Sequence, residues 1–395
     1  MAFSLSEPRG SGGVSFFYDP RVRNLFYQVA VFAVVIAAFY WIIGNTVANL
    51  ERANIASGFG FLNGRAGFDI SQSLIPYSSD STYARAFLVG LINTLYVAVL
   101  GIIVASIVGF LVGIGRLSHN WLIRKLCTVY VEVFRNIPPL LVIFFWYFGI
   151  LSQMPSVRQS LSLPLGVYVN TRGVFMPAPV WGEGAWLIPV ALLAAVFATV
   201  FVARWARKRQ MATGKPFHTV GGGVALIVGL PLIAFIATGF PVSFDVPKPG
   251  GFNLTGGTQV KPEFLALFLA LSFYTASFIA ETVRGGVLGV STGQTEASYA
   301  LGLRPGQTMR LVVVPQALRL IIPPLSSQYL NLIKNSSLAI AIGYPDLVAI
   351  GGTILNQTGQ SVEVVAIWMV IYLGISLVTS GFMNWFNARM ALVER

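Results

Sequence analysis

Gly293–Arg319 reads GQTEASYALGLRPGQTMRLVVVPQALR. This polar, glycine-punctuated stretch lies between two strongly apolar runs, Phe264–Ile279 and Leu320–Ile342. Ser291 followed three residues later by Gln294 has the spacing of a capping box, so a helix can begin there. Ala297, Ala300 and Leu301 follow at i, i+3, i+4 and make one small apolar face, with Glu296 and Tyr299 on the exposed side. Gly302 supplies a left-handed cap and Pro305 opens the next segment. The reading is a helix of about ten residues, ~15 Å long, set in a loop between membrane segments. A helix lying on a bilayer surface favours a wide apolar face flanked by Lys and Arg. This one has a narrow Ala/Leu face, an acidic residue and no basic residue between Gly285 and Leu303. A docking helix for a protein groove fits it better.

The rest of the chain supports that setting. Of 395 residues, 55% are hydrophobic and 10% charged, with mean hydropathy +0.73. Soluble domains carry about 25% charged residues. Apolar blocks long enough to cross a hydrocarbon core fall near 25–47, 86–114, 126–151, 186–205, 220–239, 263–282, 317–342 and 364–384. The expected fold is an all-α polytopic membrane protein of about eight transmembrane helices. Strands of a membrane barrel alternate over about ten residues, and that pattern is missing. No cleavage site follows the first run, which reads as a retained span.

With the N-terminus inside, 17 of the 26 Lys and Arg fall on the cytoplasmic side, among them Arg204, Arg207, Lys208, Arg209 and Lys215. Seven fall outside, and Arg135 and Lys334 lie within spans. That asymmetry places both termini in the cytoplasm and accounts for the net charge of +12 without nucleic acid. Cys127 is the sole cysteine, and His119 and His218 lie in basic loops, so no metal site and no cofactor is expected. The loops 49–83, 152–184 and 241–262 are rich in Gly, Pro and Ser. They are expected to resist regular structure and could dock a soluble partner.

Glu296-Ala297-Ser298, with Gly302 four residues on and Pro315 downstream, resembles the EAA loop of ABC-importer permeases. AETVRGGVLGVSTGQTEASYALGL (280–303), VVVPQALRLIIPP (312–324), LIKNSSLAIAIG (332–343), GLINTLYVAVLG (90–101) and VEVFRNIPPLLVIFFWYFG (131–149) are similar to the polar-amino-acid branch. Ser298 replaces the motif's second alanine, and Asn136-Ile137-Pro138 stands where many relatives have Gly-Thr-Pro. Small members have about five spans. The extra pair near 186–239 and the long first outer loop resemble one permease of a general L-amino-acid importer.

The resemblance implies a type I ABC-importer permease core in a bacterial inner membrane. Parts of that core fall at 86–151 and 263–385, with an insertion at 152–262, while the charge asymmetry makes 1–24 and 386–395 cytoplasmic and 48–85 a periplasmic loop. The resemblance also implies an EAA coupling helix carrying Glu296, Ala297, Ser298 and Gly302. The implied partners are a cytoplasmic ABC ATPase dimer, a second permease subunit and a periplasmic amino-acid-binding protein, in membrane lipid. The chain has no G-x-x-x-x-G-K-[ST] phosphate loop of its own, since Gly214-Lys215 is followed by Pro216. It reads as a non-catalytic subunit.

Polar residues inside spans mark solute paths by default. The candidates are Asn93 and Thr94 in the second span, Tyr274 in the sixth, and Gln328, Asn331, Asn335 and Ser336 in the seventh. Such groups could also bind helices to one another. Arg135 and Lys334 are expected to satisfy charge and backbone at helix breaks, and Glu281 with Arg284 to form an intrahelical pair. A secondary amino-acid transporter, or a permease for another polar solute, are the alternatives.

Overall fold

A computed structural model describes residues 20–52, 57–250 and 253–390. Arg9 and Arg395, which entered the charge asymmetry, lie outside them, as does most of the expected N-terminal segment. The structure is helical throughout its apolar blocks. The long helices are α1 (Pro20–Arg52), α2 (Tyr83–Gly115), α5 (Leu187–Thr213), α6 (Thr219–Ala237), α7 (Pro262–Leu288), α10 (Val314–Asn335) and α12 (Ser361–Met390). The shorter ones are α3 (Trp121–Asn136), α4 (Pro139–Phe144), α8 (Thr292–Ala300), α9 (Pro305–Thr308) and α11 (Leu347–Thr358). Seven helices among the described residues are long and apolar enough to cross a membrane, and one bent pair is long and apolar enough only when its two helices are taken together.

That pair corrects the sequence reading. The block 126–151, expected as one span, breaks between Trp121–Asn136 and Pro139–Gln153 with a bend of 110°. Ile137 precedes Pro138 and is forced out of the helical region, to φ −106° and ψ 133°.

The centre of the fold is α2 packed on α7. Along α2, Val97, Gly101, Ala105, Gly109 and Gly113 recur every fourth residue and are all buried. This small-residue ridge lets two backbones approach closely, as membrane packing requires. A Cβ added at Gly109 would stand 2.6 Å from Cβ of Ile279, and one at Gly113 2.7 Å from Cβ of Val283. Around this seam Leu267, Leu271, Ile279, Ile321 and Leu332 form the membrane core. By contrast α5 and α6 pack on each other, with only Ala195, Ala206 and Gly223 buried. The apolar stretch of α1 buries nothing.

A second core lies at the opposite end from α8. Ala66, Phe87, Val89, Leu347, Ile350, Ile354 and Val364 join loop 57–82 to the ends of α2, α11 and α12 in a cap. The outer loops, expected to resist regular structure, are in part ordered. Loop 57–82 is tied by backbone pairs such as Ala66 N to Ser81 O, 2.8 Å. Segment 161–260 forms β1 (Leu161–Leu163), β2 (Val167–Asn170), β3 (Gly173–Met176), β4 (Ala178–Trp181), β5 (Val242–Asp245), β6 (Lys248–Pro249), β7 (Leu254–Thr255) and β8 (Thr258–Val260). They make a four-stranded antiparallel sheet, β1-β2-β3-β8, and the ribbons β4–β5 and β6–β7. The strands have two to four residues each and sit among turns, which hides them from periodicity.

Candidate functional site

Two surfaces follow from this architecture: the polar side of α10 and the exposed helix α8. On α10, Pro324, Ser327, Asn331 and Lys334 are exposed, and Gln328 and Asn335 are half-buried beside them. The spacing of three and four residues puts them along one face. None of Ser327, Gln328, Asn331, Lys334 and Asn335 has a side-chain hydrogen bond or ion pair to another described residue, apart from Lys334 O accepting from Ser337 Oγ. A helix that crosses lipid cannot leave such a face against hydrocarbon, because polar groups there require partners or water. Lys334, Ser337, Trp368 and Tyr372 border a groove of about 380 Å³. Lys334 therefore lacks the charge partner expected of it among the described residues.

The other path candidates are committed within the fold. Asn93 is fully buried and its Nδ2 donates to Gln72 O and Pro345 O, both at 2.9 Å. Thr94 Oγ1 accepts from Leu347 N at 3.1 Å. Buried Ser336 donates to Ile333 O at 2.7 Å. Tyr274 is half-buried and leans on Phe278, with ring centroids 5.1 Å apart. Only Gln328, Asn331 and Asn335 of the predicted set share an open face.

Sequence reasoning missed a charge hub. Glu281 pairs with Arg284 at 2.6 Å, as the i, i+3 spacing implies. It is also bound by Arg116 from the end of α2, and approached by Arg135 of α3 at 3.8 Å. Arg135 lies over the Phe278 ring, 5.5 Å from its centroid. One carboxylate thus ties α2, α3 and α7 just ahead of the 110° break. The excess of Arg over Glu in these spans was the available signal, but which helices meet is not written locally.

Helix α8 is held to the body by one side. Ser298 is buried and donates to Gln294 O at 2.7 Å, and Gln316 Nε2 donates to Gln294 Oε1 at 3.2 Å. Much of the rest points away: Glu296, Ala297, Tyr299, Ala300 and Leu301 are exposed, Leu301 by 81%. The capping box expected from Ser291 and Gln294 does not form, because Ser291 makes no side-chain cap bond and Gln294 reaches Gln316 instead. Gly302 does adopt the left-handed conformation, φ +78°, with open space where a Cβ would sit. Pro305 begins α9, where Arg304 N donates to Gln307 Oε1 at 3.0 Å. Of the four EAA-loop residues, Glu296 and Ala297 face out, Ser298 faces in, and Gly302 turns the chain.

Residues 216–392 match the family described as binding-protein-dependent transport system inner membrane component. Over 378 residues, 96% of this chain and 94% of the relative, the sequence is 65% identical to the general L-amino acid transport system permease protein AapQ of Rhizobium johnstonii. It is 49% identical over 380 residues to the putative amino-acid ABC transporter permease protein YhdX of Escherichia coli, covering 96% and 97% of the two chains. It is 42% identical over 427 residues to the glutamate/glutamine/aspartate/asparagine transport system permease protein BztB of Rhodobacter capsulatus, covering both in full.

Proposed function

This chain belongs to the family of binding-protein-dependent transport system inner membrane components, and from that membership we propose how it works in the import of L-amino acids. It is a multi-span permease of an amino-acid ABC transporter. The single observation that carries its mechanism is a polar face of a span with no side-chain partner among the described residues, Ser327, Gln328, Asn331, Lys334 and Asn335 on α10. In our reading that face lines the solute path, where a second permease subunit completes it. Donors from the amides and Lys334 suit an α-carboxylate, and amide oxygens suit an α-ammonium.

Chemical energy enters elsewhere. The chain carries no phosphate loop, so ATP hydrolysis falls to a separate cytoplasmic ATPase dimer. Helix α8 is the element through which that motion reaches the spans, because its free face and its anchoring side are on one rigid turn. Residues Ala297, Ala300 and Leu301 insert into a groove of the ATPase, Glu296 meets a basic group there, and Ser298 with Gln294 transmits to α10 through Gln316. The basic side of the membrane, with α8, is then cytoplasmic. The cap and the β insert are periplasmic and face the binding protein that delivers solute.

The test is uptake in vesicles. Amino-acid entry requires internal ATP and an external binding protein, and survives collapse of the proton gradient while ATP is maintained. Uptake by this chain alone, driven by a gradient, contradicts the reading and makes it a secondary transporter.

A further inference from the structure

The cap is joined to the membrane core through a short segment, Tyr344–Leu347, and the joint is unusually rich in hydrogen bonds. Tyr344, fully buried, donates its hydroxyl to Asn93 O at 3.1 Å. Asn93 Nδ2 binds both Pro345 O and Gln72 O, so α2, loop 57–82 and the segment before α11 meet on one amide. Leu347 N donates to Thr94, and Trp368 Nε1 of α12 donates to Leu347 O at 3.1 Å. Asp346 stands in the middle, fully buried, and its Oδ1 caps α11 by accepting from Ala349 N at 2.8 Å.

The joint nevertheless has too few donors. Among the described residues, Asp346 Oδ2, Asn93 Oδ1 and Gln72 Oε1 are buried without any hydrogen-bond partner. The three carbonyl and carboxylate oxygens can only accept when Asp346 is ionised. No Arg, Lys or His among the described residues pairs with Asp346. The titratable groups facing it are the phenols of Tyr344 on its own segment and Tyr372 on α12, with Tyr96 of α2 beyond Tyr344. A buried charge met only by backbone amides at a helix start is costly. One proton on Oδ2 removes that charge and supplies a missing donor.

We propose that Asp346 is a proton-binding site at the joint between cap and membrane core, with the joint tight when the carboxyl is neutral and loosened when it ionises. Burial pushes the carboxyl up to about 7, against a smaller opposing effect of the backbone amides. The sign follows from that direction. The tight joint holds the proton more strongly than an opened one, whose carboxyl titrates near 3.8. Stability of the joint is therefore full at acid pH, starts to fall as pH rises above the opened-state value, and has lost this contribution once pH passes about 7. The joint borders a cavity of about 400 Å³ lined by Asp69, Ser71, Gly343, Pro345 and Thr353, so its loosening changes the mouth of the cap. The inference stands apart from the proposed transport reading, since it concerns only how the cap is held.

The experiment is hydrogen–deuterium exchange on the full chain in lipid nanodiscs, at a series of pH values from about 5 to about 8, corrected for the intrinsic rate. Segments 66–75 and 344–352 in the wild type lose at least tenfold protection across that range, while the α2–α7 seam keeps its own. Asp346→Asn keeps an acceptor for Ala349 N and adds a donor without charge, so its protection stays flat and exceeds the wild type at the alkaline end. Identical pH dependence in the two proteins overturns the proposal. Should Asp346→Asn fail to fold, infrared difference spectra between acid and alkaline pH, recorded separately on wild type and on Thr94→Val, decide. A buried protonated carboxyl band that disappears between about pH 6 and 8 in both supports the site, and a carboxylate already ionised at pH 5 overturns it.

Discussion

Gly109→Ala adds one methyl group at the close crossing of α2 and α7. The new Cβ would lie 2.6 Å from both Cβ and Cγ2 of Ile279 and 3.0 Å from Ala276 O, whereas ordinary contact begins at 3.4 Å. The deficit is about 0.8 Å, and rotamer changes cannot relieve it, because Cβ of Ile279 is fixed to the α7 backbone and the residue is fully buried. The helices must separate, along the ridge that also holds Gly101 and Gly113. Overpacking of this kind costs about 1–3 kcal/mol, which lowers the melting temperature by a few degrees. Gly285→Ala is the control: it lies on α7 with nothing within 4 Å of the added methyl. There the change gains helix propensity, up to about 1 kcal/mol. The assay is thermal unfolding of both variants in the same detergent, followed by loss of the monodisperse peak. Gly109→Ala melts below wild type and Gly285→Ala at or above it. Equal melting of the two variants refutes the packing argument, since the same methyl group would then be tolerated in closed and open surroundings alike.

Glu281→Gln removes the carboxylate shared by Arg116, Arg284 and Arg135. After discounting for partial exposure it destabilises by about 1–3 kcal/mol, and Arg135→Gln, at the loosest contact, by less than half of that in the same melt. A reporter fused after Arg209 reads cytoplasmic and one inserted at 78–80 periplasmic, and the reverse pattern contradicts the orientation together with the role given to α8. Gln328→Leu and Asn335→Leu reduce amino-acid uptake at normal expression, because their side chains have no partner to lose among the described residues. Thr94→Val instead lowers thermal stability through the lost acceptor for Leu347 N, with uptake per folded molecule unchanged.

Much of this architecture is written locally. Every apolar block became helical, the one at 126–151 as a bent pair, and Gly302 adopted the positive φ that its place after Leu301 implies. The break between α3 and α4 was legible too: Pro138-Pro139 announces it, and only the length of the apolar run argued for one straight span. What the sequence hides is pairing at a distance. Asn93, Thr94 and Asn331 look alike as polar residues in apolar helices, yet two of them bridge to segments some 250 residues away and one faces out. Glu281 shows its partner Arg284 by spacing, but Arg116 and Arg135 reach it only through folding. The strands of the insert are too short for alternation to register, and they are held by register with β8, more than 80 residues from β3 in sequence.

The central claim is that α8 couples this permease to its motor, and the direct measurement compares Glu296→Lys and Gly302→Asp with wild type in one membrane preparation. Glu296 is exposed and Gly302 has open space around it, so neither change disturbs the spans. A Cβ at the left-handed position costs about 1–2 kcal/mol and deforms the end of the helix, while the lysine reverses the charge offered to the ATPase. Bound ATPase, solute-stimulated hydrolysis and uptake are read together. The account predicts normal insertion with loss of uptake, the ATPase either released or hydrolysing without regard to solute. Normal uptake in both variants, with the ATPase bound and still stimulated by solute, contradicts it.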